Sequence, residues 1–68
     1  MNYDFDLSRE EMEEKIYQYV LSPRDQDIVR RRLLNKQKFE KLAEEIGMSV
    51  RHVKRIYYRE RERLFRHL

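Results

Sequence analysis

Arg51, His52, Lys54 and Arg55 place four hydrogen-bonding side chains, three of them permanently cationic, around a single apolar residue, Val53. An arginine can give two parallel hydrogen bonds to O6 and N7 of guanine in the DNA major groove. A lysine suits a phosphate oxygen, which fixes register on a duplex without selecting its sequence. Spaced this way on a helix, the group offers the chemistry of polyanion recognition. Arg51, His52 and Arg55 are therefore expected to contact bases. His52 suits a plain exposed position equally well, since the sequence offers it no carboxylate partner. Lys54 and Arg59 fall to phosphate. Tyr58 is expected to lay its ring on sugar and bond to phosphate, while Tyr57 turns into the core. Ser49 has the side chain of a helix N-cap, and the amides beside it can receive a phosphate oxygen at the positive end of the helix dipole. Arg31 and Lys38 extend the expected phosphate footprint. The run Arg30-Arg31-Arg32 cannot all join it, because three consecutive helical residues span roughly 200°.

Other chemistries find little support. The chain has no cysteine, so thiolate metal sites and disulfides are excluded. Its two histidines, His52 and His67, are too far apart in sequence to suggest a shared metal. Glu13-Glu14 and Glu44-Glu45 are adjacent pairs whose side chains diverge rather than face each other across a cleft. With one glycine there is no phosphate-cradling loop. The expectation is a non-enzyme with no metal and no cofactor.

The elements that must position these residues come from one small domain. At 68 residues the chain buries only about 60% of the surface it exposes when unfolded. With 43% of its residues charged, its apolar side chains must gather on faces. No run approaches the roughly 20 apolar residues of a membrane span, and the N-terminus lacks a secretory pattern. The expected setting is cytoplasmic, with no membrane partner. Charge is distributed unevenly. Residues 1–22 hold six acids against two bases, whereas residues 23–68 hold fourteen bases against seven acids. The basic part points to a polyanionic partner.

Ser8 with Glu11 spells a capping box, and Leu7 with Met12 a hydrophobic staple. Met12, Ile16, Tyr19 and Val20 then share a face, which predicts a helix from residue 9 to about 20 within an acidic segment 8–21. Ser22-Pro23 restarts the chain with a cap and a proline at the first helical position. Ile28, Val29 and Leu33 turn inward, and Asn35-Lys36 breaks the helix. A third apolar stripe, Phe39, Leu42, Ala43 and Ile46, ends at Gly47. Ser49 caps a fourth helix, 50–66, with Val53, Ile56, Tyr57 and Leu64 facing in. RERER at 59–63 is expected to be a half-exposed, salt-bridged helix end. Phe65 and Leu68 then close the core or, with Tyr3 and Phe5, form a small subunit contact.

The expected fold is all-α, a compact bundle of about four helices containing a helix-turn-helix. In that unit Ala43 lets the helices approach, Gly47 supplies positive φ, and Leu42, Ile46, Val53 and Ile56 make the apolar contacts. Residues 39–46 would be the supporting helix, and helix 50–66 would read the major groove through its first turns.

Residues 21–68 resemble the C-terminal promoter-recognition domain of bacterial sigma factors and the small phage or mobile-element regulators related to it. The shared layout is LSPRD at 21–25, Ile28-Val29, the leucines of RRRLL, and SVRHVKRI at 49–56. The resemblance implies a sigma-region-4-like unit over 22–68 whose last helix reads a promoter element, with RNA polymerase as a further candidate partner. The chain departs from the pattern at Lys41, where that family commonly has an acid, and at Glu60-Arg61, where it has a small residue and an apolar one. The function read from the sequence is a transcription regulator that binds double-stranded DNA as a monomer or weak homodimer. The alternative is a protein-interaction module that meets RNA polymerase or another regulator through the acidic first helix.

Overall fold

Ser8 opens the first helix as its pattern predicts: its Oγ accepts from the Glu11 amide at 3.1 Å, and its own amide donates to Glu11 Oε1 at 2.9 Å. The computed structural model describes residues 7–67 and contains four helices: α1 (Arg9–Tyr19), α2 (Pro23–Leu33), α3 (Phe39–Ile46) and α4 (Val50–Phe65). No strand occurs among the described residues. None of the helices described is long and apolar enough to cross a membrane. Tyr3, Phe5 and Leu68, named above as candidate contacts, lie outside the described residues.

Each boundary has a local cause. Ser22 accepts from the Asp25 amide at 3.4 Å, and Pro23 follows at the first position of α2. The break after α2 falls where Asn35-Lys36 predicts it, with Lys36 at φ 58°. The α2 side of that break is fastened by Arg9, which donates to the Leu34 carbonyl at 3.3 Å and to Asn35 Oδ1. The fourth helix ends at Phe65, with Arg66 as its C-cap, one residue short of the expected bound.

The core draws on every helix: Met12 and Ile16 from α1 with Val20 at its cap, Ile28, Val29 and Leu33 from α2, Phe39, Leu42 and Ala43 from α3, and Val53, Ile56, Tyr57 and Leu64 from α4. Burying a side chain of this size contributes roughly 1.5–3 kcal/mol. Helix α4 packs on all three others. The Cα radius of gyration is 11.4 Å, close to the roughly 11 Å expected of a packed chain of this length.

The RERER segment is salt-bridged and largely exposed as expected, with one departure. Glu60 is buried, only 4% exposed, and Asp25 at the start of α2 is 5% exposed. Glu60 lies one turn from both Ile56 and Leu64, so it occupies the inward stripe of α4 despite its charge.

Candidate nucleic-acid interface

The connection from α3 to α4 is three residues long, Gly47-Met48-Ser49. Gly47 sits at φ 83°, its amide donating to the Ala43 carbonyl at 2.8 Å, and the Met48 amide reaches the same oxygen at 3.0 Å. A Cβ built on Gly47 would meet nothing within 4 Å. The glycine is therefore fitted to its dihedral angle and not to a tight space. Leu42, Ala43, Val53 and Ile56 are buried on either side of this turn, and Ile46 is half-buried against them. Ser49 Oγ accepts from the His52 amide at 3.1 Å, which caps α4 and orients its first turn.

Subtracting the buried stripe of α4 leaves a defined outer face. Arg51, His52, Lys54 and Arg55 are all exposed. Among the described residues, no carboxylate forms an ion pair with Arg51, Lys54 or Arg55. Lys54 reaches over the Phe39 ring, Nζ 5.5 Å from its centroid, which ties α4 to the start of α3. Tyr57 is buried as expected, and Tyr58 is 51% exposed. The Tyr58 ring lies 6.0 Å from that of Phe39 and 5.0 Å from that of Tyr57. Lys38 is exposed at the N-cap of α3, where its side chain makes no capping bond.

Two other expected phosphate ligands are held differently. Arg31 lies 3.0 Å from Asp27 Oδ2 and 2.6 Å from Glu45 Oε1, so it clamps α2 to α3. Its hydrogen bond and charge pairing with Asp27 raise its pKa further above the ordinary guanidinium value, with Glu45 adding to the effect. Partial burial disfavours the charged form of Asp27, but hydrogen bonds and charge from Arg30 and Arg31 outweigh it and hold the carboxyl below its ordinary pKa. Arg59 donates from Nη2 to Asp25 Oδ2 at 3.1 Å and from Nε to Glu60 Oε2 at 3.0 Å. Both guanidiniums are still about a third to a half exposed, at 32% and 52%, yet each is shared between two carboxylates.

Arg9, Arg24, Arg30, Arg31, Arg59, Arg63 and Arg66 are ion-paired. Lys15, Arg32 and Arg61 lie over aromatic rings and, like Lys36, have no ion pair to a described residue. Arg51, Lys54 and Arg55 on the first half of α4, with Lys38 and Lys41 at the start of α3, are not ion-paired to any described residue.

The Asp25–Arg59–Glu60 group was missed by sequence reasoning that sorted residues by polarity alone. The signal was available in spacing: Asp25 stands three and four residues before Ile28 and Val29, and Glu60 lies between Ile56 and Leu64. Arg32 is also more than a surface charge, since it packs over Phe39 at 4.2 Å and donates to the Gln37 carbonyl at 2.9 Å. No protein-family model, curated protein or solved structure matches this chain.

Proposed function

We propose that this protein is a DNA-binding transcription regulator in which α3, the Gly47 turn and α4 form a helix-turn-helix and α4 enters the major groove. The observation that carries the reading is the unpaired set of cations on the first half of α4. Most of the other arginines are paired with neighbouring carboxylates, and Arg32 and Arg61 lie over aromatic rings, whereas Arg51 and Arg55 keep their charge and donors for something outside the chain and Lys54 meets only the Phe39 ring. The short glycine turn and the buried Ala43 agree with close approach of two helices. Within this reading Arg51, His52 and Arg55 contact bases, with Ser49, Lys54, Tyr58 and Lys38 on phosphates. Arg59 and Arg31 serve chiefly to hold α4 and α3 against α2. The resemblance of residues 21–68 to the sigma-factor domain makes a promoter the expected kind of site.

Selection from a randomised duplex library tests the proposal, followed by affinity at two salt concentrations for wild type and R51A/R55A. The expected result is one enriched motif, a steep fall in affinity with salt, and loss of discrimination in the variant. A folded protein that binds no duplex at low salt would overturn it.

A further inference from the structure

The groove between α1 and α2 belongs to a different part of the molecule. Its floor and wall include Ile16, Tyr17 and Pro23, its α1 rim carries Glu10 and Glu14, and on the α2 side Arg30 is paired with Asp27 at 2.8 Å. Gln26 holds the two helices together there, donating to the Val20 carbonyl at 2.5 Å and the Tyr17 carbonyl at 3.3 Å. Tyr17 is 76% exposed, and Leu21, just past the end of α1, is 77% exposed. These are the two most exposed large apolar side chains among the described residues. Both add nothing to the core.

The charges of the rim are equally unused. Glu11 is spent on the capping box and Glu13 lies 3.5 Å from Arg9, but no described residue forms an ion pair with Glu10 or Glu14. They stand four residues apart on one helix, a like-charge spacing that weakens an isolated helix by a few tenths of a kcal/mol. An acidic rim beside exposed apolar side chains is complementary to a segment that carries both cations and apolar groups.

From this we infer that the α1–α2 groove is a docking site for a basic amphipathic helix of a partner protein. The apolar face of that helix lies on Tyr17 and Pro23, and its Lys or Arg residues meet Glu10 and Glu14. The recognition mode is a helix in a groove, with apolar anchors setting the fit and charge setting orientation. Because the groove is built from α1 and α2, it goes beyond the proposed DNA face on α4 and does not depend on it.

The test uses the isotope-labelled full chain and two synthetic 14-residue peptides. One alternates Lys and Leu at helical three- and four-residue spacing, and the other replaces each Leu by Ser. The expected result is amide shifts confined to residues 10–17 and 21–30, with the Lys/Leu peptide bound at least ten-fold tighter than its Ser counterpart. Y17S and E10Q/E14Q should each weaken it five-fold or more, while their melting temperatures and duplex affinities do not fall. Shifts mapping elsewhere, equal binding of the two peptides, or indifference to both variants would overturn the inference. So would self-association of the free chain that Y17S abolishes, since the occupant would then be a second copy.

Discussion

The guanidinium of Arg59, on α4, stands 3.1 Å from the buried carboxylate of Asp25, at the first turn of α2. A second edge of the same group reaches Glu60 at 3.0 Å. One half-exposed cation therefore bonds to two acids that the core has largely removed from water, while Glu60 Oε1 is buried without a hydrogen bond. Such acids are tolerated inside a small domain only while their partner stays in place.

R59A should accordingly destabilise the fold by about 2 kcal/mol. That is less than the loss of a fully buried partner, because water reaches Arg59 and because Arg24 and Arg63 remain near the two acids. R59K should recover part of the loss, since an ammonium restores charge but not the two-edged geometry. Urea unfolding of the three proteins decides it. An R59A variant as stable as wild type would show that the network contributes nothing.

G47A tests the turn. There is space for the methyl group, so the cost comes only from holding an L-residue at φ 83°. The expected loss is about 1 kcal/mol, and G47N, which tolerates left-handed backbone better, should lose less. Reversal of that order in denaturant melts would mean the position is limited by packing after all.

Lys54 and Arg31 share one expectation from sequence, a phosphate contact, but their surroundings differ. K54A should reduce the dependence of log affinity on log salt by about 0.9, the increment of one phosphate contact. R31A should leave that slope nearly unchanged and instead lower stability, because it leaves Asp27 and Glu45 without their shared partner. Duplex titrations at four salt concentrations distinguish the two outcomes.

Asp27 gives a pH prediction with a definite sign. Its folded pKa lies below the ordinary value of 3.8, so its contribution is fully present above that value and is lost as pH falls through the folded pKa. Stability should therefore drop below about pH 4, and D27N should flatten that part of the profile while lowering stability at neutral pH. Urea midpoints measured from pH 7 to pH 2.5 supply the comparison.

Helix boundaries were legible because their signals are local. Ser8 with Glu11, Ser22 with Pro23, and Gly47 with Ser49 each act within one turn, so sequence spacing is nearly the same thing as geometry. The buried stripe of α4 was legible for the same reason at Val53, Ile56, Tyr57 and Leu64. Glu60 was not, because its charge argued for solvent and its partner Arg59 argued for DNA. The pairing of Arg59 with Asp25, 34 residues earlier, is likewise not readable from spacing, since a pairing at that distance is fixed by the packing of α2 on α4. Arg31 was obscured in the same way by Glu45, which belongs to another helix. Arg51 and Arg55 kept their outward reading, since nothing elsewhere in the described fold competes for them.

The alternation along α4 has a consequence for how this protein can change. Buried Val53, Ile56 and Tyr57 interleave with exposed Arg51, His52, Lys54 and Arg55, so one helix carries two texts written in different positions. The first is read by the rest of the bundle, and the second, apart from the contact of Lys54 with Phe39, faces outward, where on the proposed reading a partner would read it. Rewriting positions 51, 52, 54 and 55 would edit the address and leave the architecture alone. A library confined to those four sites should therefore return many folded proteins that differ in what they bind, making α4 a natural point of divergence and an economical starting point for retargeting.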